Sequence, residues 1–351
     1  MKETIAVIFG GEGFEREISI KSASNILASL SKKLYTPLPI YINSRGEWFY
    51  YGGDFDIPDS KTIEKSLSGI LKPTYPQNIS LRGGFVIDGA PIFPSLAIIA
   101  MHGNFGEDGI IQGALQSAKI KTLSQSVLAS AIASDKAVCK AIADSLEIPN
   151  AKYELLTEKN AKLARERAED SLAYPMFLKS ASFGSSFGVA KVSSSCEFEK
   201  EYNNILAMGE DRILAEEYIE CDYELECGYI DFGEKHFIPK GVIHTGGRFY
   251  SLAEKYSSTS DFYPEILEIP SEISKKIVEY SSALCESIGI KYMSRIDFFV
   301  RGEAVIFNEI NTFPGMTKTS LYPKMLESEF GDFPECLTKL IRHALSDDRT
   351  V

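Results

Sequence analysis

The stretch FNEINTFPGMT, residues 307–317, places Glu309 and Asn311 two apart at the end of an apolar run. On a strand, residues two apart share a face. Arg295 and Asp297 in SRIDFFV share a face for the same reason. The two segments read as a β-hairpin turning at Arg301-Gly302, and the turn decides whether the pairs meet. A three-residue loop, Arg301 to Glu303, sets Val300 opposite Ala304 and brings all four side chains to one face. A two-residue turn leaves the pairs on opposite faces, because a one-residue slip inverts every side chain. Chemistry here therefore requires an odd loop or a bulge. Asp297, Glu309 and Asn311 offer oxygen alone, the donor set of Mg²⁺ or Mn²⁺. Arg295 beside two acids implies a shared anion. The plain alternative is a solvated strand face, where Asp and Glu are ordinary.

KSASFGSSFG, from Lys179 to Gly188, has the composition of an anion cradle. Small residues let backbone N–H groups approach a phosphate, and Lys179 adds a point charge at a strand end. The stretch is not a P-loop, since GxxxxGK[ST] is absent; a Ser/Gly loop is also an ordinary hairpin connection. In SDK, Ser134–Lys136, a second lysine stands at a helix start, where a simple cap is the alternative. In LAEEYIECDYE, Glu216, Ile219 and Glu224 have the makings of an adenosine clamp. An acid near Glu216 with backbone groups suits an adenine amine, and Glu224 suits ribose hydroxyls. An acidic surface loop is the alternative there.

The elements that must position these groups fall into two kinds. TIAVIFGGEG, YTPLPIYIN and SLAIIAMHGNFGEDG read as strands, and REISIKSASNILASLSKK and IIQGALQSAKI as helices. This β-α-β alternation implies an α/β domain with an open parallel sheet over roughly the first 120 residues. Ligands of such sheets bind at the carboxyl ends of strands, where both Gly-rich loops lie. Beyond it the organisation is α+β. SDKAVCKAIADSLEI is a helix ahead of Pro149, and YPMFLKSASFGSSFGVAKV and RILAEEYIECDYELECGYI are each two strands with a connection. SEISKKIVEYSSALCESIGI is an amphipathic helix. HTGGRFYSLAEKYSSTSDFYPE reads as a long loop, and long ordered loops are often lids.

Composition narrows the partners. The 351 residues suggest two or three domains. Hydrophobic content of 44% and charged content of 25% are those of a globular protein. A formal charge of −12 argues against broad nucleic-acid or membrane-surface binding. Six cysteines without a CxxC pair, with only four histidines, speak against a Cys/His zinc site and for reduced core thiols. The apolar N-terminal run is too short for a signal peptide, and SLAIIAM is far short of the ~20 residues of a membrane span. Cytoplasmic placement is the expectation.

Taken in order, GGEGFEREISI, MHGNFGEDGIIQG, SDK, LKSASFGSSFGVAKV, EEYIECDYELE, AEKY, SRIDFF and FNEINTFPGMTKTSLYP resemble the D-alanine–D-alanine ligases of the ATP-grasp superfamily. The likeness runs from residue 4 to about 345. It implies an ATP-grasp fold behind an N-terminal open parallel α/β domain, with units at 1–123, 124–210 and 211–347 and a lid loop near 244–262. It implies ligation of two D-alanines with ATP through an acyl phosphate, for peptidoglycan, in a homodimer. Asp297, Glu309 and Asn311 would hold two Mg²⁺ (or Mn²⁺), with Asn308 beside them at the nucleotide. Lys136 and Lys179 would contact α- and β-phosphates, and Ser185-Ser186 would fold over the transferred group. Glu216 or Glu217, with Ile219, would neighbour the adenine, and Glu224 the ribose. Arg295 and the Gly315 N–H would stabilise a tetrahedral oxyanion. Glu15 would pair the first D-alanine's ammonium, with Ser19 near it and His102 on the substrate side. Lys255 and Tyr256 would belong to the lid, Tyr256 bonding with Glu15 and Ser185. Ser320 and Leu321 would meet the second D-alanine's carboxylate.

Some positions depart from that pattern. Ser180 follows Lys179 where Pro is usual, SDK replaces Met-Asp-Lys, and the hinge before Glu224 is one residue longer. Thr319 replaces a frequent His or Ile. The nearest alternative is a D-alanine–D-serine ligase, since pockets discriminate weakly against an added hydroxyl; D-lactate fits less well. A remoter one is an NAD-dependent oxidoreductase, prompted by VIFGGEGFE, but Arg16 stands where the third Gly of GxGxxG belongs.

Overall fold

The apolar run after Glu3 becomes β1 (Glu3–Gly10), buried from Ile5 onward. The computed structural model describes residues 2–65, 70–79, 82–184, 187–244 and 263–347. After β1 come α1 (Arg16–Ser29), β2 (Tyr35–Ile42), β3 (Trp48–Tyr51), α2 (Ser60–Lys65) and β4 (Leu71–Pro73). A small antiparallel sheet, β5 (Pro76–Ile79), β6 (Arg82–Ile87) and β7 (Ala90–Ile92), precedes β8 (Leu96–Ile99), α3 (Ile110–Ser117) and β9 (Thr122–Leu123). The main sheet runs β4-β3-β2-β1-β8-β9. Its centre is parallel, as expected, but β3 and β4 pair antiparallel along one edge. Both faces of β1 are covered: Ile5, Val7 and Phe9 enter one core, and Ala6 and Ile8 another. Burial on both faces is why the strand reads as continuous hydrophobic sequence.

Next come α4 (Val127–Ser134) and α5 (Lys136–Ser145), two helices where the sequence suggested one. Asp135 ends the first and caps the second, its carboxylate accepting the Val138 N–H at 3.0 Å. A four-stranded antiparallel sheet follows. It contains β10 (Tyr153–Thr157), β11 (Met176–Ser180), β12 (Val189–Val192) and β13 (Arg212–Glu217) in the order β10-β13-β11-β12. α6 (Ala161–Ser171) and α7 (Ser195–Ala207) supply Ala164, Ala168, Phe198 and Ile205 to its core.

The third sheet holds β14 (Tyr223–Asp231), β15 (Lys235–His244) and β16 (Tyr263–Ile266). It is completed by β17 (Met293–Arg301) and β18 (Ala304–Asn311), in the order β16-β15-β14-β17-β18. Behind it lies α8 (Ser271–Ile288), closed by Gly289 at φ +81, the left-handed cap that glycine favours. Ala129, Ala133, Cys139 and Ala143 of α4 and α5 share this sheet's core. β13 and β14 are neighbours in sequence yet pair in different sheets, so residues 218–222 cross between them. The four-stranded sheet therefore extends past residue 210, where the sequence reading ended its second unit. The chain closes with α9 (Leu321–Phe330) and α10 (Phe333–Ser346). Met325, Leu337, Leu340 and Ile341 from these helices pack in the same core as Ile5 and Val7 of the N-terminal sheet.

The hairpin that opened the sequence analysis turns on two residues, since Arg301 pairs with Ala304. The three-residue loop is therefore not formed. A bulge replaces it: Phe298 faces Phe307, Asp297 faces Glu309, and Asn308 is the extra residue. One extra residue restores the shared face that a two-residue turn alone denies. Cys139, Cys227, Cys285 and Cys336 are free and buried. Among the described residues, no helix is long and apolar enough to cross a membrane.

Candidate active site

Beyond the bulge, β17 and β18 set Arg295 opposite Asn311 and Asp297 opposite Glu309. The Arg295 fork donates from Nε to Asp297 Oδ1 at 2.7 Å and from Nη2 to Oδ2 at 2.6 Å. Glu226 of β14, opposite Asp297, brings Oε1 within 3.4 Å of the same guanidinium. Burial works against this charge, but Asp297 and Glu226 hold the Arg295 pKa well above its ordinary value. Asn311 Nδ2 donates to Asp297 Oδ2 at 3.0 Å, and Lys136 Nζ lies 3.6 Å from Glu309 Oε2. The donors are all oxygen and share one face, which suits a hard divalent cation. In this conformation side-chain cations already meet both carboxylates.

A second cluster lies where β11 and β13 pair. Glu216, 1% exposed, takes Lys179 Nζ at 2.6 Å and Lys140 Nζ at 3.4 Å. Burial alone would raise the Glu216 pKa, yet the two lysines more than offset it and hold the carboxylate below its usual range. Burial pulls the Lys140 pKa down, and Glu216 opposes that. Glu217 follows on the strand, and its carboxylate accepts the Lys152 N–H at 2.8 Å. Lys136, the first residue of α5, donates to the Phe183 carbonyl at 2.7 Å. SDK is thus both a cap, through Asp135, and the mount for a cation.

A third group surrounds the loop ends of β1 and β8. Glu15 precedes α1, and its carboxylate lies against Gly103 and Gly184. Gly103 has φ +63, the left-handed backbone that glycine favours, and a Cβ there would stand 2.2 Å from Glu15 Oε2 and force that carboxylate to move. His102 is 8% exposed and uses both ring nitrogens. A carbonyl only accepts, so Nδ1–H donates to Phe313 O at 3.2 Å, which leaves Nε2 to accept the Ser22 hydroxyl at 3.0 Å. Burial lowers its pKa, in keeping with a neutral ring. Glu107 accepts the Gly103 N–H at 2.8 Å and the Phe313 N–H at 2.9 Å. Burial, aided by the nearby Glu15 charge, pushes its carboxyl up from 4.5 to about 7. Ser320, just before α9, accepts the Thr317 N–H at 3.2 Å, and Leu321 opens the helix.

One cavity of about 500 Å³ gathers all three groups. Glu15, His102, Lys136, Lys179, Glu216 and Glu217 line it, as do Ile219, Glu224, Arg295, Asp297 and Asn308. Glu309, Asn311, Gly315, Ser320 and Leu321 complete the expected residues in its wall. Ser19 is not among them. Its fully buried hydroxyl accepts the Gly10 N–H at 2.8 Å and donates to Ala100 O at 2.6 Å, tying α1 to the ends of β1 and β8. Ser185, Ser186, Lys255 and Tyr256 lie outside the described residues, as does most of the expected lid. The sequence reading missed Lys140, Glu107 and Glu226. Lys140 follows Lys136 by one helical turn, and Glu226 follows Glu224 by one strand repeat, so periodicity alone could have flagged both.

Comparison with known proteins bears on this arrangement. The family model described as D-ala D-ala ligase N-terminus matches residues 4–124, and D-ala D-ala ligase C-terminus matches residues 142–342. A D-alanine--D-alanine ligase of Pelodictyon phaeoclathratiforme is 33% identical, covering 97% of this chain and 98% of that protein. The crystal structure of the VanG D-Ala:D-Ser ligase from Enterococcus faecalis superposes with TM-score 0.86 at 28% identity, covering 98% of this chain and all of that one (100%). The D-alanine-D-alanine ligase from Coxiella burnetii gives TM-score 0.85 at 26% identity, covering 98% and 94%.

Proposed function

We infer the activity from a plain premise: this chain belongs to the D-ala D-ala ligase family. It is an ATP-grasp ligase, and its reaction joins two D-alanines at the expense of ATP, giving D-alanyl-D-alanine for peptidoglycan, ADP and phosphate. The observation that carries this reading is the single cavity. It holds Lys136, Lys179 and Glu216 beside apolar Phe177 and Ile219, and also Arg295, Gly315 and Ser320.

In the proposed chemistry, one D-alanine carboxylate attacks the γ-phosphate and becomes an acyl phosphate. The amine of the second then attacks the acyl carbon and phosphate leaves. Lys136 and Lys179 neutralise phosphate oxygens, and Ser185 and Ser186 close over the transferred group. Glu216 takes the adenine amine, with Glu217 beside it, Ile219 against the ring and Glu224 at the ribose. Glu15 pairs the first substrate's ammonium. His102, with both nitrogens engaged, offers its ring face and fixes the Phe313 carbonyl. Arg295 and the Gly315 N–H meet the oxyanion, and Ser320 and Leu321 the second carboxylate. Lys255 and Tyr256 exclude water, which would hydrolyse an acyl phosphate. Asp297, Glu309 and Asn311 are the residues that would hold two Mg²⁺ or Mn²⁺ ions, whose charge offsets that of the triphosphate, with Asn308 beside them at the nucleotide. We further propose a cytoplasmic homodimer and a three-unit chain whose second boundary follows Glu217.

D-serine as acceptor is a second reading, favoured by the likeness to the D-Ala:D-Ser ligase. Both are tested by phosphate release from Mg-ATP with D-alanine, D-serine and D-lactate, offered singly and in pairs, with products identified by mass. Release with D-alanine alone, yielding the dipeptide, supports the main reading. Release only when D-serine is added moves the enzyme to the second, and no release with any acceptor overturns both.

A further inference from the structure

Ser180 occupies the position directly after Lys179, at the end of β11, and its side chain is fully buried. Its Oγ accepts the Phe183 N–H at 2.8 Å and the Ser182 N–H at 3.2 Å, and donates to Glu210 Oε2. Glu210, 6% exposed, stands just before β13 and collects further donors. Oε2 accepts the Ser182 hydroxyl at 2.7 Å and its N–H at 3.1 Å, while Oε1 accepts the Arg212 N–H at 3.0 Å. A buried carboxylate that gathers this many donors is held by charge-assisted hydrogen bonds, among the strongest a protein makes. The turn it fixes ends at Phe183, whose carbonyl takes Lys136 Nζ at 2.7 Å. The turn is also pinned by the Ala181 N–H on Arg212 O at 2.9 Å and by Lys136 N–H on Ala181 O at 2.9 Å.

We propose that Glu210 is a positioning residue of the nucleotide end: through Ser180 and Ser182 it sets the 181–183 turn, and through the Phe183 carbonyl it sets the Lys136 ammonium. The inference rests on the reading of that end as the ATP site. It gives Ser180 a purpose, since a hydroxyl can anchor the loop to Glu210 where a residue without a side-chain donor cannot. Glu210 touches no substrate; its effect reaches the nucleotide only through the loop and Lys136.

The test measures ATP affinity by equilibrium dialysis, alongside KM for ATP and for D-alanine, in the full chain. Hydrogen bonds to charged groups are strong enough that Glu210→Ala is expected to weaken ATP binding and raise its KM by roughly 10- to 100-fold. The KM for D-alanine moves by a clearly smaller factor, since the turn reaches that substrate only through Gly184 beside Glu15. Ser182→Ala, at an exposed position that leaves the fold intact, moves the ATP values in the same direction by a smaller factor. Asp347→Asn serves as control. Asp347 is likewise buried and accepts the Tyr292 hydroxyl at 3.2 Å, but belongs to no part of the cavity wall. It should lower the melting temperature without separating the two KM values. ATP affinity unchanged in both Glu210→Ala and Ser182→Ala, or ATP and D-alanine KM values rising together, overturns the proposal. Should the wild type bind ATP yet release no phosphate with D-alanine, the ligase reading falls while dialysis still decides the role of Glu210.

Discussion

Glu216 sits between two lysines with almost no access to water, and Lys140 among them is itself 1% exposed. Removing one partner of a buried charge cluster leaves the other uncompensated, at a cost of about 3–5 kcal/mol. Lys140→Met is therefore expected to lower the thermal midpoint sharply, measured by calorimetry; an unchanged midpoint would mean that Lys179 alone satisfies Glu216. Glu309 is a different case. It is partly open to the cavity and pairs with Lys136 at 3.6 Å. Glu309→Gln is expected to abolish turnover while the midpoint shifts little. Wild-type phosphate release by that variant would remove Glu309 from the proposed metal set.

At the scale of elements, the β17–β18 hairpin carries the site through a single inserted residue. Between the two-residue turn and the Asp297–Glu309 pair, Asn308 is the only position out of register. Deleting Asn308 is expected to restore a regular ladder and to rotate Glu309 and Asn311 away from Arg295 and Asp297. Such a protein should keep its far-ultraviolet circular dichroism and lose phosphate release. Retained activity would show that a bulge re-forms elsewhere and that the face is specified by burial of Phe298 and Phe307 instead. The crossing at residues 218–222 matters in the same way. It sends Glu216 to one sheet and Glu224 to another, so both acids can face one ligand.

Across the whole molecule, the C-terminal segment is built into the N-terminal unit. Leu337, Leu340 and Ile341 of α10 share a core with Ile5, Val7 and Phe9 of β1. Residues 1–123 expressed alone are expected to expose that face and bind a hydrophobic dye, and a monomeric fragment without dye binding would contradict this. Glu107 joins the same parts by accepting backbone N–H groups from Gly103 and Phe313. Its carboxyl is raised from 4.5 to about 7, so the folded state holds a proton that the unfolded state releases. Stability tied to that proton is fully present below about 4.5 and is lost as pH rises towards 7. Glu107→Gln should flatten this part of the stability–pH profile, as read from denaturant midpoints between those limits. Identical slopes in wild type and variant would mean that Glu107 ionises normally.

The sequence by itself was enough to place the family. Eight motifs in order resemble the ATP-grasp ligases, and strand periodicity put Arg295 on one face with Asp297 and Glu309 on one face with Asn311. It also required an odd loop or a bulge without saying which. Only the tertiary structure decided that the bulge at Asn308 supplies the shared face, that Ser19 is a buried strut, and that β3 and β4 run against the parallel strands. It alone placed Lys140 on Glu216 and Glu210 beneath the Ser/Gly turn. Periodicity is a property of neighbouring residues and survives in one dimension. Cross-strand register and burial depend on partners far along the chain, whose positions are fixed only when the sheets and helices pack together.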